Sequence, residues 1–306
     1  MTDDAAYWIA LSTVPGVGPA LFRGLCDRFG EPADVFRASR EDLEGVRGIR
    51  ATAVTALLRP GARIRAAENI VNELAADGYD VLTFRDHGYP AGLRDLRDPP
   101  PVLYSLGRLR GRRTFSVAGS TAPSARGAGI ARRAAKELAR AGWVVTSGYA
   151  PGIDSAAHLA ALEARRRTVL VLPFGVRAFR LRPEFRRFED QLGRRMVLLS
   201  ERPPDEGWSS RNAVCRDRII AALGRALLVV EARPDSGTMI TFRHAMKLGR
   251  PAYVIHYRRA PAGAAGNRLA VRAGGLPVAS MRALRHIARA SSLPRAMPAT
   301  VQGELF

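Results

Sequence analysis

A strand–helix alternation beginning at residue 114 constrains this chain more than anything else in it. Short apolar, β-prone runs recur at 114–118, 143–147, 168–172, 196–200, 227–231 and 252–256. Between them, residues 124–141, 155–164, 216–223 and 238–248 are compatible with helix. Continuous apolar runs suit strands covered on both faces, unlike the alternating pattern of a half-exposed strand. Strands that alternate with helices join through crossovers, and crossovers build parallel sheets. The pattern therefore predicts an α/β fold: a Rossmann-like, doubly wound, mostly parallel sheet with helices on both faces.

Three of the predicted strand ends carry chemistry. Ala118-Gly119-Ser120-Thr121 leads into a helix from Ser124, and Ser147-Gly148-Tyr149-Ala150-Pro151-Gly152-Ile153-Asp154 leads into another from Ser155. Asp235-Ser236-Gly237-Thr238 follows the strand that ends at Glu231. Each places Gly, Ser or Thr between the carboxyl end of a strand and a helix N-terminus, where open α/β sheets bind ligands. Free N–H groups and the positive helix end favour an anion there. The candidate phosphate-binding residues are Gly119, Ser120, Thr121, Gly148, Gly152, Ser236, Gly237 and Thr238, with Arg126, Arg216, Arg218 and Lys247 as cations. None of the three loops matches the GxGxxG or GxxxxGK[ST] patterns, so neither a tightly held NAD nor ATP is expected and no cofactor is assigned.

Ahead of the alternation, residues 1–76 read as a small all-helical region. Val14-Pro15-Gly16-Val17-Gly18-Pro19-Ala20 and Leu43-Glu44-Gly45-Val46-Arg47-Gly48-Ile49-Arg50 both fit a helix-hairpin-helix (SAM-like) turn, with Arg23 and Arg50 close by. The alternative is a helical bundle of the same shape that binds protein. Residues 77–113 read as a turn-rich connector with short strands, residues 114–288 as the core and residues 289–306 as a flexible tail.

Charge narrows the partner. The chain has 48 Lys+Arg against 28 Asp+Glu, a net charge of +20, and every basic residue except Lys136 and Lys247 is arginine. Codon bias explains arginine over lysine but not the deficit of acids. Clustered cations gain free energy by releasing counterions from a polyanion, most simply nucleic acid. Cys26 and Cys215 are too few for a disulfide framework. No run is long and apolar enough to span a membrane, and Asp3 and Asp4 argue against a secretory leader, so a cytoplasmic protein is expected. His87, His158, His244, His256 and His286 show no metal-ligand spacing with the cysteines. Trp143 reads as core; Trp208 reads as an exposed base-stacking residue or as local packing.

Tyr89-Pro90-Ala91-Gly92-Leu93-Arg94-Asp95, the three loops above, Leu199-Ser200-Glu201-Arg202-Pro203-Pro204, Arg218-Ile219-Ile220-Ala221 and Gly266-Asn267-Arg268-Leu269 occur in the order and spacing of one family. Over most of its length the chain resembles the DprA/Smf DNA-processing proteins. The resemblance implies single-stranded DNA binding without covalent chemistry. It also implies protection of incoming strands, loading of the RecA recombinase in natural transformation and recombination, and a homodimer. Carried onto this sequence, the N–H groups of Gly119, Ser120, Gly237 and Thr238 receive phosphates, and Arg126 and Arg218 add charge. The chain departs from the family pattern at Thr121 and Pro151, where Arg is usual, at Arg126, where an aromatic is usual, and at Asp217, where Asn is usual. The family's winged-helix C-terminal domain is not evident.

A second reading is a nucleotide-binding or nucleotide-hydrolysing enzyme or sensor resembling the LOG group, using Asp154, His158, Glu201 or Glu231 in the same crevice. Against it, Asp154 is placed to cap the helix starting at Ser155. At the chain's end, Gln302, Leu305 and Phe306 resemble the short peptide that docks on the replication sliding clamp.

Overall fold

The computed structural model describes residues 2–109, 113–290 and 293. The clamp-like peptide and all but a few residues of the expected tail lie outside them. Among the described residues no helix is long and apolar enough to cross a membrane.

The chain starts with six helices: α1 (Thr2–Ser12), α2 (Pro19–Phe29), α3 (Pro32–Val35), α4 (Arg40–Glu44), α5 (Ala51–Leu57) and α6 (Gly61–Ala76). The two glycine turns recognised in the sequence fold alike. Val14 N–H donates to the Leu11 carbonyl and Val17 N–H to that of Val14; Val46 and Ile49 repeat this with Leu43 and Val46. Each turn passes through a left-handed residue, Gly16 (φ +87°) and Gly48 (φ +85°), a conformation a β-carbon would strain. Trp8 stacks on Phe22 with ring centroids 5.2 Å apart. The apolar core of these helices continues onto Tyr104, Met196 and Leu198 of the sheet, so helices and sheet edge share one interior.

Nine strands follow: β1 (Asp80–Thr83), β2 (Val102–Leu106), β3 (Thr114–Ala118), β4 (Val144–Ser147), β5 (Thr168–Val171), β6 (Met196–Ser200), β7 (Leu227–Val229), β8 (Ala252–Ile255) and β9 (Leu276–Val278). They form one sheet in the order β1-β2-β6-β5-β4-β3-β7-β8-β9. The pairs from β6 through β9 are parallel, whereas β1 and β2 join antiparallel at one edge. The connecting helices are α7 (Ala125–Arg140), α8 (Ile153–Glu163), α9 (Ser210–Leu223), α10 (Gly237–Lys247), α11 (Ala265–Arg272) and α12 (Met281–Arg289). Helices α7, α8 and α12 cover one face; α9, α10 and α11 cover the other. Winding runs one way from β3 through α7 to β4 and the other way from β7 through α10 to β8. The switch point therefore lies between the paired neighbours β3 and β7.

The doubly wound α/β architecture expected from the alternation is present. The pattern did not reveal β9, α11 or α12. Strand β9 is three residues long and contains Pro277, which only an edge strand tolerates. Helix α9 begins six residues earlier than expected, because Ser209 caps it by accepting the Asn212 N–H and its polar first turn reads as loop.

Asn267 fastens the open end of the sheet. It is 4% exposed, its amide donates to the carbonyls of Val230 and Ile255 at 2.9 Å each, and its carbonyl accepts the Ala232 N–H. Removing it strands the Ala232 N–H and the Ile255 carbonyl and leaves the Val230 carbonyl with the Tyr257 hydroxyl alone. At about 1–3 kcal/mol for each buried polar group left unpaired, and allowing for relaxation, Asn267→Ala should lower stability by about 2–4 kcal/mol in urea denaturation.

Candidate phosphate-binding rim

The three Gly-rich loops do meet at the carboxyl rim of the sheet, but two of them are already filled from within. At the α7 end, Glu231 supplies the anion. Its carboxylate, 1% exposed, accepts the Ser124 N–H at 3.0 Å and the Ser124 hydroxyl at 2.7 Å. Ser124 Oγ in turn accepts the Gly127 N–H, and the Glu231 carbonyl accepts the Ser120 N–H at 2.7 Å. The Ser120 N–H is thus spent inside the protein. A β-carbon on Gly127 would sit 2.2 Å from the Glu231 carboxylate, so the close approach requires glycine.

At the α8 end, Asp154 plays a similar part. It does not cap the helix, which begins at Ile153 after Gly152 (φ +78°). It reaches back to accept the N–H groups of Gly148 and Ala150 at 3.1 and 3.2 Å, which fixes the loop. The N–H groups of Ile153 and Ser155 are taken by the carbonyls of Ser120 and Ala150. Gly148 and Gly152 serve packing. A β-carbon on Gly148 would strike the Arg216 guanidinium, and one on Gly152 would strike the carbonyls of Ser120 and Thr121.

The third loop is open. Ser236 occupies the N-cap of α10 without capping it, its hydroxyl bonding the Arg233 carbonyl instead. Among the described residues, the N–H groups of Gly237 and Thr238 donate to no protein acceptor, and neither do those of Gly119 and Thr121 across the switch point. Four donors and one positive helix end, flanking β3 and β7, make a cradle for an anion.

The expected cations are distributed differently. Arg126, in the first turn of α7, is exposed and lies over the Tyr257 ring at 5.4 Å. Arg216 is 7% exposed beneath the rim, where it donates to the Val171 carbonyl at 3.0 Å and lies 3.5 Å from Asp217. Arg218 pairs with Glu201 at 2.6 Å and lies 3.5 Å from Asp98. Lys247 ends α10, a helix length away from the rim. Sequence reading passed over Arg233, Arg258 and Arg259, which follow β7 and β8 on the rim side. All three are exposed and, among the described residues, enter no ion pair. The signal was available: arginine within a few residues of a strand's carboxyl end. Trp208 is 66% exposed.

The residues considered for catalysis all make bonds within the protein. Glu201 holds Arg202 and Arg218. His158 bonds the Thr168 hydroxyl at 2.6 Å, and burial, reinforced by the charges of Arg182 and Arg216, pushes its pKa down to about 3. It stays neutral near pH 7. Burial raises the Asp154 carboxyl above its usual range against the pull of Arg216. Among the described residues no cluster of three or more His, Cys, Asp or Glu could hold a metal ion.

Asp217 differs from these because it lies under the open cradle. Its carboxylate oxygen is 3.1 Å from where a β-carbon on Gly237 would be. Burial raises its pKa to about 7, opposed by Arg216, reinforced by the Asp154 charge and opposed by a Thr241 hydrogen bond.

An open α/β sheet with an uncapped helix N-terminus at its switch point and exposed arginines around it defines a Rossmann-like protein with a candidate anion cradle. Residues 80–286 match the family described as DNA recombination-mediator protein A, and the chain belongs to that family. Protein Smf of a Synechocystis strain is 32% identical over 259 residues, covering 83% of this chain and 65% of that protein. DNA processing protein DprA of Bacillus subtilis is 32% identical over 182 residues, covering 58% and 61%. The chain thus spans somewhat under two thirds of the length of these relatives. The structure of DNA processing protein A from Streptococcus pneumoniae superimposes with a TM-score of 0.75 at 27% identity, covering 93% of this chain and 97% of that one. The Helicobacter pylori protein of the same name, whose structure was described for its single-stranded DNA binding mode, superimposes at 0.60 with 23% identity over 68% of this chain and 94% of that one.

Asp217 has a signature in stability. A carboxyl group that ionises at 3.8 when unfolded and at about 7 when folded binds more protons in the native state across that interval. Stability from this group is full below the unfolded value and is lost as pH rises toward the folded one. In urea denaturation across pH 4–8, the wild type should lose stability through this window, and Asp217→Asn should lose distinctly less.

Proposed function

We infer that this protein binds single-stranded DNA at the switch-point rim, by its phosphate backbone and without covalent chemistry. The observation that carries the reading is the open cradle made by the N–H groups of Gly119, Thr121, Gly237 and Thr238. The uncapped end of α10 and the unpaired Arg126, Arg233, Arg258 and Arg259 surround it with positive charge. Donors of this kind read phosphate and not base, so sequence preference is slight. Exposed Trp208 offers a flat apolar face for an unstacked base, which a single strand presents and a duplex does not. Family membership and the net charge of +20 support the same reading. The carboxylates and histidine of the enzyme alternative are engaged in structural bonds, which favours binding over catalysis. Protection of incoming strands, RecA loading and pairing with a second copy, implied by the family resemblance, belong to the same proposal.

The test is fluorescence anisotropy of a labelled oligo-dT strand against a duplex of equal length over a salt series. The wild type should prefer the single strand, with log affinity falling by about 0.7 per phosphate for each decade of salt. Gly237→Glu fills the cradle with an acid and should weaken binding at least about tenfold, a loss of about 1.4 kcal/mol. Equal affinity for both DNAs with a flat salt response would reject the reading. A phosphate in the cradle sits over Asp217, so protonating that group should favour binding. Affinity should therefore rise as pH falls from 8 to 6, and Asp217→Asn should bind tightly across the range.

A further inference from the structure

At the other end of the sheet, about 15 Å away at about 3.3 Å per strand residue, lies a second concentration of positive charge. A cavity of about 350 Å³ opens where β4, β5 and β6 begin, lined by Arg165, Arg166, Arg167, Arg194 and Arg195 around Gly142, Trp143 and Val144. No acid lines it. Among the described residues none of the five arginines enters an ion pair, and only the Arg167 side chain donates a hydrogen bond, to the Arg108 carbonyl. Some surface arginines are paired, as Arg132 and Arg187 are with Glu163; these five are set apart by lining one cavity that holds no acid.

Helix polarity does not account for the cluster. Helices α7 and α8 end beside the cavity, and each carboxyl end is equivalent to about half a negative charge. Two such ends offset about one of the five positive charges, leaving an excess of about four. Five converging guanidinium groups without a protein counter-charge repel one another, and an anion carrying several charges relieves that repulsion.

The backbone supplies a second, independent sign. Helix α8 ends in a reversal in which Arg166 N–H returns to the Ala161 carbonyl and Arg165 adopts φ +55°. This left-handed position after a helix is ordinarily glycine, because a β-carbon is strained there. The chain places an arginine at the strained position, and its side chain lines the cavity.

We propose that this arginine-lined cavity is a second anion site that takes a run of adjacent phosphates. The Trp143 ring is already covered by Arg113 at 4.0 Å, and its Nε1 donates to the Ala288 carbonyl, so recognition there is by guanidinium and phosphate and not by base stacking. The phosphates come either from a free oligophosphate or from the backbone of a strand.

The test compares the full chain carrying Arg165→Gln, Arg166→Gln, Arg194→Gln and Arg195→Gln with a charge-matched control carrying Arg59→Gln, Arg65→Gln, Arg133→Gln and Lys136→Gln. All eight positions are exposed. Inorganic tripolyphosphate is titrated by calorimetry and labelled oligo-dT by anisotropy over a salt series. Tripolyphosphate affinity should fall at least about tenfold more in the cavity variant than in the control. If a strand supplies the phosphates, the salt slope for oligo-dT should also drop, by about 2–3 for four lost contacts at about 0.7 each. An unchanged slope with lost tripolyphosphate binding assigns a free oligophosphate. If neither measurement separates the cavity variant from the control, the proposal fails. The tripolyphosphate titration needs no DNA, so its outcome stands apart from that of the rim reading. Arg165→Gly should raise the Tm by relieving the backbone while weakening tripolyphosphate binding; undiminished binding by that variant would count against the site.

Discussion

Glu231 is the point on which the rim is built. It lies two residues beyond the end of β7 and is 1% exposed, and its bonds run to the backbone and hydroxyl of Ser124 at the start of α7. A buried carboxylate is costly unless hydrogen bonds replace its water, and here the positive end of a helix helps to replace it. The same residue's carbonyl receives the Ser120 N–H, so one side chain and one peptide hold the β3 loop, α7 and β7 in register across the switch point. Gly127 and Gly263 are both pressed against the carboxylate and leave no room for a β-carbon.

That arrangement sets how much of each helix end the protein itself engages. A doubly wound sheet aims several helix N-termini at one rim, and each is an anion site unless the protein fills it. Glu231 takes the N–H and hydroxyl of Ser124, which caps α7. The carbonyls of Ser120 and Ala150 occupy α8, with Asp154 bracing the loop before it, and Ser209 caps α9. Among these four, α10 alone has neither a side-chain cap nor an acceptor from another loop on its first-turn N–H groups. Internal acids, carbonyls and hydroxyls engage part of the first turn at the other three ends and leave that of α10 without a cap.

The sequence disclosed the fold more readily than the site, for a physical reason. Strands buried on both faces leave continuous apolar runs, and six such runs located β3 to β8. Glycines forced by close approach, such as Gly119 against Ile153, were visible as Gly-rich loops. What those glycines accommodate was not visible: an internal carboxylate for Gly127, a guanidinium for Gly148 and an open cradle for Gly237. The cations show the same limit. Placing the start of α9 at residue 216 hid its helical phase. With the helix starting at Ser210, Asn212, Arg216, Ile219, Ile220 and Leu223 fall on one buried stripe, which carries Arg216 under the sheet rim and not into solvent. Arg218, two residues on, turns toward Glu201 and Asp98. A net charge of +20 said that arginines would be free, but not which ones.

The buried group beneath the cradle gives the departures from the family pattern a common physical meaning. Arg216 lies between two acids, Asp154 and Asp217, so with both ionised the cluster carries one excess negative charge directly under the anion site. Burial relieves this by holding protons on the acids: the Asp154 carboxyl is raised, and Asp217 is raised to about 7. Replacing the usual Asn with Asp217 therefore need not cost the cradle its affinity, because an anion bound above favours the protonated, uncharged form of the acid below. Where the family pattern carries fixed positive charge at positions 121 and 151, this chain has a neutral Thr and Pro, and it has exposed arginines at 126, 233, 258 and 259 around the same rim. The balance at the site has moved from cations held in the loops to cations on the periphery over a titratable floor. A phosphate bound there, as proposed, would lie over a floor that titrates close to neutrality.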